Sequence, residues 1–147
     1  MVDSRAKGVR GEYIVRDMLR DHTGYQFERV PNSGALSYLK GDLYVPGAKN
    51  RFCIEVKNYS ESPLTDKIFT QPKTNNLIKW WRKIKLQADS MDQEPLLFFK
   101  YNRSPVFVVT ELNPIVLEEV MELPWLGCKV MLAQPWLEIE NVEFLHA

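Results

Sequence analysis

Apolar side chains at Val15, Met18 and Leu19 recur at helical spacing between charged neighbours and stop short of Gly24, which predicts an amphipathic helix over Lys7–His22. Glu12 lies one turn before Val15 on or beside that stripe, where a carboxylate is costly without a partner or a metal. Gln26–Val30 reads as a short strand, and Pro31–Gly34 is a cluster of turn residues. Gly41–Val45 and Arg51–Lys57 alternate in type as β-runs, and the Pro46–Asn50 link between them predicts a hairpin. Ser60–Pro72 is polar and broken by Pro63 and Pro72, the pattern of a mobile connection. Leu77, Trp81, Ile84, Ala88 and Met91 then mark the packed stripe of a second helix, with Lys79, Arg82, Lys83 and Lys85 on its other faces. Pro95–Lys100 and Val106–Thr110 predict a second strand pair. Asn113 and Pro114 start a short helix through Met121, and Lys129–Ala133 adds an edge strand. The alternation of strands and helices predicts an α/β fold with one mixed sheet flanked by helices.

Composition narrows this picture. A chain of 147 residues suits one domain with a real core, and its 45% hydrophobic and 12% aromatic content exclude a disordered chain. The longest apolar runs, such as Pro105–Thr110, are too short to span a bilayer. Residues 1–25 lack the continuous apolar stretch of a signal peptide, so the expected location is cytoplasmic. Cys53 and Cys128 have no close-spaced partner and are expected as buried free thiols; His22 and His146 lack metal-ligand spacing. The formal net charge is zero, which by itself argues against a nucleic-acid partner. The charge is unevenly spread, however. Residues 1–85 hold 16 of the 19 Lys and Arg and 9 of the 19 Asp and Glu, a net of +7, against −7 for the remainder. Such asymmetry points to a polyanion, with two differently charged solvated faces as the alternative.

Along Phe52–Lys57, Phe52, Ile54 and Val56 share one face of the strand, and Cys53, Glu55 and Lys57 share the other. A hairpin would set Asp42 beside Glu55. Two hard carboxylate donors, with a backbone carbonyl such as that of Val56, water and a phosphate oxygen, suit Mg²⁺, with Mn²⁺ as a substitute. Lys57 would then position the attacking water or offset charge building on phosphorus. An acid-x-lysine triplet alone is more often a cross-strand ion pair, and Gly-Asp often marks a turn. Their combination with Glu12, a third acid and possible metal ligand, favours chemistry.

These motifs resemble the PD-(D/E)xK nuclease superfamily, and within it the archaeal-type Holliday junction resolvases. Lys7-Gly8-x-x-Gly11-Glu12 resembles the opening helix, Arg29–Gly34 the arginine and serine-glycine loop, Gly41-Asp42-Leu43 the metal aspartate and Ile54–Lys57 the catalytic strand. The chain writes Gly-Asp where the family motif has Pro-Asp. The resemblance runs from about Lys7 to Val109. It implies a restriction-endonuclease-like mixed central β-sheet flanked by α-helices, arranged as one nuclease domain over 1–147 with a catalytic core of about 7–110 and an extension over 111–147. It implies catalytic roles for Glu12, Asp42, Glu55 and Lys57, phosphate or catalytic-loop contacts from Arg29 and Ser33, and a polar role for Gln87 on the following helix. A homodimer acting on branched DNA is implied as well.

Lys79, Trp80, Arg82 and Lys83, with Lys73 in the preceding loop and Lys7 and Arg10 on the first helix, are candidate DNA contacts. A basic surface with interleaved aromatics can hold a phosphate backbone without reading bases. Trp81 belongs to the packed stripe and is assigned to the core; Trp80, at the stripe's edge, is the stacking candidate. The alternative is a solvated helix face. Three readings stay open: a Mg²⁺-dependent endonuclease selective for branched DNA, a nicking, restriction-like or exonucleolytic DNase, and a non-catalytic DNA-binding module.

Overall fold

The computed structural model describes residues 4–31 and 39–146. Among them, seven strands form one sheet in the order β1-β2-β3-β4-β5-β7-β6. The strands are β1 (Glu28–Arg29), β2 (Leu43–Tyr44), β3 (Phe52–Tyr59), β4 (Glu94–Tyr101), β5 (Phe107–Thr110), β6 (Met121–Leu123) and β7 (Cys128–Leu132). Only the β3–β4 pairing is parallel. Parallel neighbours require a crossover. Here it contains α2 (Lys67–Thr70) and α3 (Asn76–Ser90), while α1 (Ser4–Thr23) and α4 (Ala133–Ile139) complete the helices.

The alternation within β3 sorts its residues between two cores. Phe52, Ile54 and Val56 join Val15 and Leu19 of α1 and Trp136 of α4, together with Phe98 from β4. Cys53 faces the other way, with Leu77, Trp81, Ile84 and Ala88 of α3 and Leu97 and Phe99 of β4. Trp81 is buried as expected, and its indole Nε1 donates to Leu126 O at 3.2 Å. Both cysteines are buried and free, and burial pushes each thiol up to about 12.

The amphipathic helix, the hairpin and the second strand pair form where the sequence places them, but three expectations fail. The Ser60–Pro72 connection winds into α2 and anchors Ile68 in the core, because Asn75 ties it down: its Nδ2 donates to Pro63 O at 2.9 Å while its Oδ1 caps α3 by accepting from Ile78 N. No helix forms over Asn113–Met121. Ile115 and Val116 are exposed, so a helix there would bury little, and the N–H groups of Ile115, Val116 and Leu117 instead donate to the Glu140 carboxylate at 2.5, 2.8 and 2.7 Å. Those bonds favour the ionised carboxylate and hold its pKa below the usual carboxylate range. Lastly, β7 is no edge strand, since β6 pairs along its outer side.

Residues past Thr110 therefore extend the same sheet and core. Phe144 sits at edge-on angles against Phe27, Phe52 and Trp136, with centroids 5.6, 5.3 and 6.1 Å away. Arg51 N donates to Phe144 O, fixing this cover at the start of β3.

Two contacts seat α1 against the sheet. Arg20 Nε donates to Phe27 O at 2.8 Å, and Asn58 Nδ2 donates to Lys7 O at 2.9 Å. Between them Gly11 lies flat on Asn58, where an added Cβ would fall 2.7 Å from Asn58 Cβ. Gly11→Ala is expected to lift α1 and destabilise the chain by about 1–3 kcal/mol, the usual cost of overpacking. Urea unfolding would measure it, and an unchanged midpoint would show that the helix has room to move.

Candidate active site

The site grows from the β2–β3 hairpin. Gly41 has φ of +84°, a backbone conformation suited to glycine, and an added Cβ would meet Ile54 O at 2.6 Å. That close approach brings the next residue against β3. Asp42 N donates to Ile54 O at 2.7 Å, and Asp42 O accepts from Val30 N at 2.8 Å. With its backbone clamped on both sides, Asp42 turns its carboxylate along β3, where Oδ2 accepts from Val56 N at 2.8 Å.

On β3 itself, Lys57 Nζ lies 3.3 Å from Glu55 Oε1, and both side chains are mostly buried, 22% and 13% exposed. Glu12 reaches the same cavity from α1 and accepts from Arg29 Nε at 3.0 Å. Arg29 is thereby held on a carboxylate, and its guanidinium also lies 5.4 Å from the Tyr13 ring centroid. Glu12 raises the Arg29 pKa.

The electrostatics single out Asp42. Burial, then the charge of Glu55, push its carboxyl up to about 7; Glu12 acts in the same sense, while the Val56 N–H and Lys57 partly oppose them. No salt-bridge partner reaches Asp42 among the described residues. Acids placed together in a semi-buried cavity without enough compensating charge invite a cation. Among the described residues no three His, Cys, Asp or Glu side chains converge on one point. Mg²⁺ fits, because it is commonly held by one or two carboxylates and completes its shell with water and phosphate oxygens.

The cavity, about 450 Å³, unites Glu12, Asp42, Glu55, Val56 and Lys57, and Lys7 joins them at its wall. Lys7 Nζ also donates to Asn102 Oδ1. Ser33 lies outside the described residues. Arg10, Lys73, Lys79, Arg82 and Lys83 are exposed but do not line the cavity. Gln87 is half-buried on α3, away from that wall, with a buried Oε1 that lacks a hydrogen-bond partner.

Trp80 is a correction. It is only 7% exposed, pressed between Tyr59 at 4.9 Å and Phe99 at 6.1 Å, so no base can stack on it. Its position one residue from Trp81 left it on the margin of the packed stripe, and Tyr59 and Phe99 close that margin. The sequence reading passed over Asn58 and Tyr59, both of which line the cavity. Tyr59 was detectable as the next odd position after Glu55 and Lys57.

Residues 3–136 match a family model described as "Phage putative PDDEXK endonuclease". Protein D14 of Escherichia phage T5 is 35% identical over 157 residues, covering 98% of each chain. Among solved structures, the Holliday junction resolvase Hjc of Archaeoglobus fulgidus superposes with a TM-score of 0.46 at 17% identity, covering 86% of this chain and 88% of that one. With the family model spanning nearly the whole fold and its site-bearing strands, the chain belongs to the phage PDDEXK endonuclease family.

Proposed function

We propose that this nuclease is a Mg²⁺-dependent DNA endonuclease whose site is Asp42, Glu55 and Lys57, selective for branched DNA and acting as a homodimer. The observation that carries the reading is the pair of crowded carboxylates, Asp42 and Glu55, beside the ammonium of Lys57. Bound Mg²⁺ supplies a polarised phosphoryl group and a water of lowered pKa. The chain's own residues do the rest. Asp42, anchored through Val56 N just before β2, and Glu55 on β3 present oxygens side by side, with the Val56 carbonyl as a further donor. Lys57 holds its ammonium close to Glu55, where it can orient water toward phosphorus and offset the charge that builds there. Glu12, braced by Arg29, adds negative charge at the rim and is a possible further ligand.

The choice of branched DNA rests on the likeness of Glu12, Arg29, Asp42, Glu55 and Lys57 to the junction-resolvase motif. Two copies would place two such sites on opposed strands. Four-way junction, linear duplex and single-stranded DNA incubated with Mg²⁺, with Mn²⁺ or with chelator test the proposal. Paired cuts confined to the junction, lost with chelator, are expected. Indiscriminate digestion would remove the branched-DNA part, and junction binding without any cleavage would favour a binding module. Sedimentation of the free protein checks the dimer.

A further inference from the structure

Glu55, Lys57 and Tyr59 occupy successive odd positions of β3, so the strand that carries the acid and the ammonium presents an aromatic ring next in the row. The ring is 41% exposed, whereas Trp80 beneath it is buried and rests in turn on Phe99. Tyr59 is thus held at a tilt by Trp80 while part of its side chain stays open to solvent. Together with Ser60 it lines both the cavity of the acids and a second cavity of about 460 Å³. That second cavity is walled by hydroxyl and amide side chains such as Thr65, Gln71 and Thr74, with Lys67 as its cation.

We infer that Tyr59 is a stacking subsite for an unpaired DNA base, one nucleotide from the phosphate held at Glu55 and Lys57, with the second cavity receiving the continuing strand. This rests on the nuclease reading and names the substrate class for the same site. Three observations point to it. An aromatic face accepts any base, and the surroundings offer neutral hydrogen-bonding groups and one cation for a sugar-phosphate chain, with Glu61 the single acid among the lining residues. The spacing is the second. A two-residue step along β3 is about 6.6 Å, a length that one nucleotide of sugar-phosphate backbone spans. A base that lays its face on Tyr59 takes the ring in place of a neighbouring base, which an unpaired strand allows. The third is rigidity, because a ring already ordered by Trp80 loses little freedom when a base settles on it.

The test uses splayed-arm DNA with abasic sites placed in turn at the first few unpaired positions. Affinity is measured for the full chain with Ca²⁺ replacing Mg²⁺, and a fully paired duplex is the control. One abasic position is expected to weaken binding to the wild type and to Tyr59→Phe about tenfold. Tyr59→Ala should bind the intact splayed arm about tenfold less tightly, feel no abasic position, and bind duplex as the wild type does. The wild-type abasic series stands whether or not Tyr59→Ala folds. If no abasic position matters, or if Tyr59→Ala weakens duplex and splayed arm equally, the subsite is overturned. Cleavage by wild type in Mg²⁺, run alongside, separates the two claims. Cutting without an abasic effect defeats only the subsite, and an abasic effect without cutting defeats only the nuclease reading. Absence of binding to both DNAs defeats both.

Discussion

Lys57→Ala is expected to lower the rate of DNA cleavage on the order of 10²- to 10³-fold, and Glu55→Ala by at least as much. The magnitude for Lys57 is that of removing one preorganised charge from a developing anion in a site shielded from water. Glu55 should cost more, because its loss removes an oxygen donor and leaves Asp42 as the only carboxylate of the pair, weakening metal retention as well as chemistry. The two changes act on one unit, since Lys57 Nζ lies 3.3 Å from Glu55 Oε1, so the double variant should be scarcely slower than the worse single one. Lys57→Arg should rescue little, because a planar guanidinium does not replace a compact ammonium at that distance. Single-turnover cleavage at saturating Mg²⁺ is the measurement. A Glu55→Ala protein retaining wild-type rates would remove Glu55 from the reaction.

Asp42 carries the second large effect, and its sign is opposite to that of an ordinary stabilising ion pair. Its carboxyl is pushed up to about 7 from an ordinary 3.8. Between about pH 4 and about pH 7 the folded, metal-free chain keeps a proton that the unfolded chain has released. Stability from this group therefore falls as pH rises through that window and is level on either side. A shift of roughly three units corresponds to about 4 kcal/mol. Asp42→Asn keeps an oxygen that can accept from Val56 N but cannot ionise. It should flatten the dependence and exceed the wild type in stability at pH 8 by up to about that amount. Excess Mg²⁺ at pH 8 should raise the wild-type Tm and leave Asp42→Asn nearly unmoved, because a ligand stabilises only the state that binds it. Equal responses to Mg²⁺ in the two proteins would place the ion elsewhere.

What the sequence revealed follows from the range of the interactions involved. The chemistry-bearing residues of β3 were legible because side-chain alternation is local, and α3 was legible because its apolar positions recur every three or four residues. The joining of Asp42 to Glu55 needed only a hairpin, the shortest long-range contact a chain makes. Trp80 failed because its fate depended on Tyr59 and Phe99, one strand of which lies 21 residues earlier in the chain and the other 19 later. The segment after Asn113 failed for the same reason. Its Asn-Pro start is a sound local signal for a helix, but the carboxylate that takes its N–H groups belongs to Glu140, at the far end of α4. Gly11 and Gly41 were visible as glycines, yet the surfaces that require them, Asn58 and the backbone of Ile54, appear only once the sheet is assembled.

The seat of Phe144 bears on how the protein is made. The first residue of β3, Phe52, is roofed by a ring that the chain supplies more than ninety positions later, and Phe27 and Trp136 meet the same ring. During synthesis the strand with Glu55 and Lys57 emerges early, but the core beneath it cannot close until residues past 140 have followed. A partly made chain thus exposes the parts of a nuclease without their support, and the ability to cut would arrive late, after nearly all of the described fold has been translated.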